Sequence, residues 1–586
     1  MKTNILTLRL LIALAVFQLP TLGLQLSKLS AQTAPKWAEK AKTAVFSVIT
    51  YDAEGKILGT GNGFYISADG TAVSDFSLFK GAERATVVTA DGRELPVDYI
   101  MGANDMFDVV KFKTASPGKA VALDPAFSAP AVGETVYLLP YSTQKSATLQ
   151  SGTVTRIDTI SSGTAFYYTL ELQTADKNIS CPVMNAGGQV IGMIQKSASS
   201  DSKESYCLGT GYFSTLAISA FAGSNSALDA IGIKKGLPED ESQAQVYLYM
   251  NSSRLDNEQY LALLNDFIAK YPNNPDGYQR RAACYMSYGD DSHNALADAD
   301  LKRILSVSDK KQEGLYNVAK LIFAYSRALT PDQQPYTGWG LENALDNIRA
   351  AIKIDPQPTY RQTEAEILFA MQNYSEAYQS YLQVCQSSIS SSESFYSAAV
   401  SLEMSIDAES DQSGAEMEQV LALVDSAVVR FTPPYGKEAA PYLYERGRVK
   451  TQLGKHREAV ADFNDFYSAM LGQVLPEFYV TREQAEMQCR MFKQALDDIN
   501  KAVELEPDNT DYLLEKASVH LRVNQVSEAV TSLRDVIARD SENAYAYRML
   551  GYCLIQQGDK DEGLQQLQRA ADLGDENAVT LIEKYK

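Results

Sequence analysis

The second half of the chain repeats itself, and that repeat restricts the fold more than any other feature. ERGRVKTQLGKHREAV (445–460), REQAEMQCRMFKQAL (482–496), EKASVHLRVNQVSEAV (515–530) and RMLGYCLIQQGDKDEGL (548–564) lie over one another. A small residue recurs at the same late point, as Ala459, Ala495, Ala529 and Gly563, at spacings of 36, 34 and 34 residues. Four residues further on stand Phe463, Ile499, Leu533 and Leu567, all large and apolar. A period of about 34 residues is that of a two-helix unit that cannot bury its own apolar face and must stack on copies of itself. Apolar residues keep helical spacing from about residue 245 to the C-terminus, and segments stop at YPNNPDG (271–277), KIDPQP (353–358) and LEPDNT (505–510). Proline ends helices there because it lacks the N–H that would continue them.

The details resemble the tetratricopeptide family. Gly447, Ala517 and Gly551 fall where the first helix of each unit needs a small residue against the second, and Pro356 and Pro507 close units. TEAEILFAMQNYSEAYQSYLQ (363–383) reads as a further unit, and 391–436 as an irregular one with the polar insertion ESDQSG. The resemblance covers roughly 245–586, about eight units, and implies an all-α solenoid with a groove for other proteins or peptides. Tyrosine supplies rigid contact area with a polar tip and is enriched at interfaces. Tyr278, Tyr285, Tyr316, Tyr374, Tyr378 and Tyr381 are therefore the candidate groove residues, with packing between helices as the alternative role.

The first half has another texture. AVFSVITYD (44–52), GNGFYIS (61–67), ATVVTADG (85–92), DVVKFKT (108–114), TVYLLPY (135–141), SGTVTRIDTI (151–160), AFYYTLELQ (165–173) and QVIGMIQK (189–196) are short β-branched and aromatic runs parted by turn residues. Such a series predicts a barrel or sandwich. The polar, Pro-containing GLPEDESQAQ (236–245) reads as part of a linker over 226–244.

Residues 59–113 and 177–193 resemble HtrA-type trypsin-like proteases, a likeness that runs over roughly 36–225 and implies a double β-barrel. The fold class expected is therefore multidomain, a trypsin-like double β-barrel followed by the helical solenoid. In that family a stretch like V-T-x-x-H-V-I-x-G-A carries the general base. Here it reads VSDFSLFKGA (73–82), so Ser77 stands at the His position. The Asp that orients the base is matched by Asp108, at the head of DVVKFK. The G-N-S-G-G-P element is matched by KNISCP (177–182), so Ile179 stands at the nucleophile position and Lys177, Ser180 and Cys181 replace three glycines.

That set of residues cannot run acyl transfer. A serine hydroxyl attacks only when a base takes its proton, and an isoleucine side chain has neither proton nor lone pair to offer. Loss of the glycines restricts the positive-φ backbone that an oxyanion loop uses. The three histidines, His293, His456 and His520, all lie in the repeat half, so the β half holds none. Cys181 is no substitute nucleophile for the same reason. Without a histidine to orient, Asp108 is expected to serve as a turn or strand-start residue.

The remaining features set the setting. At 586 residues the chain is too long for one core. A net charge of −20 disfavours nucleic acid and anionic lipid as partners. MKTNILTLRLLIALAVFQLP, with Lys2, Arg9, the apolar run from Leu10 to Leu19 and Ala31 at a cleavage point, has the layout of a secretory signal peptide over 1–31. The mature chain is expected to start near Gln32 and to be exported and soluble, in the periplasm or outside the cell. No segment reads as a membrane span, and oligomeric state is left open. Of the six cysteines, Cys181 and Cys207 share a domain and are the candidate disulfide. Neither metal-ligand spacing nor a nucleotide loop is present, so no cofactor or metal is expected. The reading is a non-catalytic, exported protein-binding scaffold. Its alternatives are a serine-type endopeptidase with non-standard apparatus, and an architectural subunit of a cell-envelope complex.

Overall fold

The computed structural model describes residues 35–586 apart from 116–117, 119–120, 127, 161–164, 198, 200–201, 222–224, 408–409 and 411–412. The signal peptide expected over 1–31 lies outside the described residues. The chain divides into two compact units, Met1–Tyr271 and Pro272–Lys586.

The first unit is built on two closed six-stranded barrels. The first takes β1 (Val45–Tyr51), β2 (Ile57–Tyr65), β3 (Thr71–Ser74), β4 (Arg84–Val88), β5 (Glu94–Asn104) and β6 (Val109–Thr114), in the order β1-β2-β3-β6-β5-β4. The second takes β7 (Thr135–Leu138), β8 (Gln150–Ile160), β9 (Ala165–Glu171), β10 (Pro182–Met184), β11 (Val190–Gln195) and β12 (Glu204–Gly209), in the order β10-β11-β12-β9-β8-β7. All pairings are antiparallel. Alternation sends every second side chain inward. In β1, Phe46 and Val48 face the interior with Tyr65, Phe79 and Phe112, all fully buried. Each such aromatic or aliphatic side chain contributes about 1.5–3 kcal/mol by leaving water. The core of the second barrel, with Leu138, Leu170, Val183 and Leu208, runs on to Phe64, Val73 and Val109 of the first.

Helix Ser226–Asp229 leads into a strap on the first barrel, where Ile100 N–H donates to Lys234 O and Gly236 N–H donates to Ile100 O, both at 2.8 Å. Ile231 and Ile233 are buried beneath it. Helices Glu241–Asn251 and Asn257–Lys270 fall within this compact unit.

Among the described residues the second unit holds eight helical hairpins and a last helix. They are Pro275–Met286 with Asp291–Val307, Lys311–Ala328 with Leu341–Ile354, Pro358–Ala370 with Tyr374–Cys385, and Ser392–Ser405 with Ser413–Val428. Ala440–Gln452 with His456–Ala469, Pro476–Gln488 with Phe492–Leu505, Thr510–Arg522 with Val526–Arg539, and Ala544–Gln557 with Lys560–Asp572 follow, and Glu576–Tyr585 ends the chain. The repeat residues do what their spacing implies. Ala459, Ala495 and Ala529 are fully buried, as are Phe463, Ile499, Leu533 and Leu567. Gly447 is small because a Cβ there would meet Phe463 Cε1 at 2.6 Å, and at Gly551 it would meet Gly563 O at 2.6 Å. A second device ties helices within units. Arg446 reaches the buried Asp462 at 2.6 Å, Arg482 the buried Asp498 at 2.7 Å, and Arg281 the buried Asp300 at 2.8 Å.

Candidate functional site

The cleft chemistry of a double barrel rests on the loops after β3, before β6 and before β10, and those loops bring Ser77, Asp108 and Ile179 into one region. Asp75 caps the short helix Phe76–Phe79, accepting from Leu78 N–H at 3.2 Å, and this turn presents Ser77. Asp108 sits directly before β6 at φ 45°, a left-handed conformation uncommon for a residue with a Cβ. Its Oδ1 accepts from Ser77 N–H at 2.7 Å and from Ser77 Oγ at 2.8 Å. Asp108 therefore fixes the turn around Ser77 from directly before β6.

The loop before β10 is held from the first barrel. Asn62 Nδ2, on β2 and nearly buried, donates to Lys177 O at 2.8 Å and to Ile179 O at 2.9 Å. Within the loop, Asp176–Asn178 forms a 3-10 turn, and Ile179 N–H donates to Asp176 O at 3.2 Å. Cys181 N–H donates to Asn178 O at 3.2 Å. The N–H of residue 179 is thus bonded inside the turn. Ser180 adopts φ 67° without being glycine.

Ser180 keeps that conformation through its hydroxyl, which is buried and donates to Asp75 Oδ1 at 2.6 Å. Burial pushes the Asp75 carboxyl above its ordinary range, the Ser180 hydrogen bond opposes this, and the nearby Asp108 charge adds to the rise. Asp75 and Asn62 hold this loop and its neighbouring turn, and sequence reading passed over both. Their signals were an acid heading the FSLF helix and an asparagine between two glycines on an inward-facing strand.

The disulfide considered for Cys181 and Cys207 is not formed; both thiols are free and fully buried. Ile194 N–H donates to Cys181 O while Cys207 pairs with Ile194 from the other side. One strand therefore lies between them. Two strand spacings are about 9–10 Å, beyond the ~7 Å reach of a disulfide.

The six tyrosines do not make one exposed surface. Tyr278 and Tyr381 are buried, and Tyr285, Tyr316, Tyr374 and Tyr378 are half-buried. Tyr278 OH donates to Pro272 O at 2.9 Å, Tyr316 packs on Tyr360 with ring centres 4.7 Å apart, and Tyr374 packs edge-on against Phe369. Tyr374, Tyr378 and Tyr381 lie on the second helix of their hairpin, Tyr278, Tyr285 and Tyr316 on first helices. An apolar recess of about 610 Å³ lies elsewhere, lined by Tyr444, Phe466, Met470, Leu475 and Phe478. Among the described residues no group of three or more His, Cys, Asp or Glu is arranged to hold a metal ion, and no helix is long and apolar enough to cross a membrane.

A family model for the trypsin-like peptidase domain matches residues 61–193, and one for the tetratricopeptide repeat matches residues 514–578. Among curated proteins, sperm-associated antigen 1 of Mus musculus is 34% identical over 105 residues, 18% of this chain and 11% of that protein. The Rattus norvegicus counterpart is 35% identical over 105 residues, again 18% of this chain and 11% of that protein. The chain thus spans about a tenth of the length of the curated relatives it matches. Similar solved structures include Rv3671c from Mycobacterium tuberculosis in an inactive form, at 17% identity and TM-score 0.27 over 32% of this chain and 91% of that one. The serine endoprotease from Yersinia pestis is similar at 17% identity and TM-score 0.27, over 31% of this chain and 66% of that one. The chain combines a trypsin-like peptidase domain with tetratricopeptide repeats.

Proposed function

We propose that the barrel unit is a pseudoprotease and that the protein is an exported, non-catalytic scaffold that binds other proteins through its helical repeats. The observation that carries this reading is the pairing of Ser77 with Asp108. The carboxylate that would orient a general base accepts two hydrogen bonds from a serine instead, and every histidine lies at 293 or beyond. Ile179 leaves no nucleophile, and its N–H is bonded to Asp176. Acyl transfer needs nucleophile, base and oxyanion donors together, and here each is replaced or occupied.

A protease-like domain without its chemistry, joined to tetratricopeptide repeats, suits protein interaction, and stacked hairpins offer extended surface for it. The apolar recess around Tyr444, Phe466 and Phe478 supports the repeats as the binding part, beside the half-buried Tyr285, Tyr316, Tyr374 and Tyr378. Export rests on the basic and apolar pattern of residues 2–31.

Two measurements test the reading. Purified full-length protein is exposed to a fluorophosphonate probe and to casein; no labelling and no turnover are expected, and proteolysis that survives repurification overturns the pseudoprotease. Cross-linking in cells followed by mass spectrometry is expected to place partner links in 272–586. Links confined to 35–271 overturn the assignment of recognition to the repeats.

A further inference from the structure

The first barrel carries a second cleft, of about 510 Å³, with none of Ser77, Asp108 or Ile179 in its lining. It is walled by β5 and β6, by residues 216–218 and 234–239, and by the end of helix Asn257–Lys270. Five lysines reach it, Lys111, Lys113, Lys234, Lys235 and Lys270, against three carboxylates, in a chain whose net charge is −20.

The three carboxylates are already engaged. Lys113 pairs with Asp69 at 2.6 Å, Lys234 with Asp266 at 2.5 Å and Lys270 with Glu239 at 3.3 Å. Lys111 and Lys235 have no carboxylate at ion-pair distance among the described residues. Lys111 Nζ donates to Phe213 O at 3.1 Å, and Lys235 Nζ donates to Ile231 O. Both side chains are half-buried, and burial lowers the pKa of both ammonium groups. Glu239 acts on Lys111, and Asp229 and Glu83 on Lys235, from beyond ion-pair distance, which offsets the desolvation of each ammonium only in part. The rest of the wall is apolar, with Tyr99, Met101, Leu216 and Leu237.

We propose that this cleft binds a small organic carboxylate with an apolar body, its charge held by Lys111 and Lys235. The volume is that of small-ligand pockets, which run about 300–1,000 Å³. It accommodates the C-terminal end of a short apolar peptide or a medium-chain fatty acid. A polyanion is excluded by the field of the whole chain. This inference is independent of the scaffold reading, since it uses none of the repeat unit.

Calorimetric titration of the full-length protein at low salt tests it, with three probes: an acetylated tri-leucine peptide acid, the same peptide as its C-terminal amide, and decanoate. At least one carboxylate is expected to bind with Kd below about 1 mM, with the amide about tenfold weaker or more. Raising salt from 50 to 500 mM is expected to weaken binding. Lys111→Met and Lys235→Met keep the apolar stem and remove the charge, and each is expected to lower affinity about tenfold. Binding of the peptide acid alone identifies a peptide end as the source, and binding of decanoate alone identifies a lipid acid. No carboxylate binding, equal binding of the amide, or wild-type affinity in both variants overturns the proposal. Should the variants fail to fold, the amide and salt comparisons on the wild-type protein still decide it.

Discussion

The Ser180 hydroxyl donates a 2.6 Å hydrogen bond to Asp75 Oδ1, tying the loop before β10 to the cap of the helix after β3. Ser180 holds φ 67°, which costs a residue with a Cβ about 1–2 kcal/mol. Ser180→Ala keeps that strain and deprives a desolvated carboxyl of its donor. It is expected to destabilise the barrel unit by about 1–3 kcal/mol. Ser180→Gly loses the same bond but relieves the strain, so it is expected to cost less. Urea unfolding of the two variants measures the difference; equal loss would show that the backbone at 180 is unstrained.

Restoring the residue types should not restore the enzyme. In a Ser77→His and Ile179→Ser double variant, the N–H of residue 179 still donates to Asp176 O within the 3-10 turn. Removing a single oxyanion donor costs about a hundred- to a thousandfold in rate. Casein turnover by the double variant is expected to stay at background. Clear turnover would mean that the turn opens when substrate arrives.

Two glutamates make the repeat unit sensitive to alkali. Glu483 and Glu486 lie on helix Pro476–Gln488, both are buried, and both Glu483 oxygens and Oε2 of Glu486 lack a hydrogen-bond partner. Burial pushes both carboxyls up to about 8. The folded state therefore holds protons that the unfolded state has released, so stability falls as pH rises from about 4.5 towards 8. The melting midpoint is expected to be lower at pH 8 than at pH 5. Glu483→Gln is expected to recover about 2 kcal/mol at pH 8 and little at pH 5. A midpoint that rises between pH 5 and pH 8 with the variant unchanged would contradict this.

Two glycines ten residues or fewer apart should respond differently to alanine. At Gly447 an added Cβ would lie 2.6 Å from the ring of the fully buried Phe463. Overpacking of this kind costs about 1–3 kcal/mol. At Gly454, φ is 72° and nothing lies within 4 Å, so Gly454→Ala meets only backbone strain of about 1–2 kcal/mol. Thermal melts separate the two causes when Phe463→Leu is added. The larger space is expected to rescue Gly447→Ala and to leave Gly454→Ala unaffected.

The barrel thiols should be silent in the native protein. Burial pushes Cys181 up to about 12 and Cys207 further still, and the thiolate is the reactive form. Iodoacetamide is expected to label neither residue before unfolding, and reducing agent is expected to leave the melting midpoint unchanged. A midpoint that drops on reduction would indicate a bond.

The sequence by itself determined the kinds of element and the stock of chemical groups. Alternation in VFSVITY and recurrence of Ala459, Ala495 and Ala529 depend only on neighbours along the chain, and strands and hairpins formed where those periods ran. The absence of histidine before His293 needs no structure at all. Tertiary structure decided what each group meets. Residues 231–236 read IGIKKG and carry no strand signal of their own, yet the free edge of β5 at Ile100 turned them into a strap. The tyrosines carry the same side chain whether they line a groove or fill a gap, and only the fold set Tyr316 against Tyr360 and Tyr374 against Phe369. Cys181 and Cys207 share a barrel, but strand order put β11 between them. Local periodicity fixes which way a side chain points; partners come from segments tens to a hundred residues away, as with Asn62 and Ile179 or Asp75 and Ser180. Those meetings are set by the closure of the barrels, for which no short stretch of sequence carries a signal.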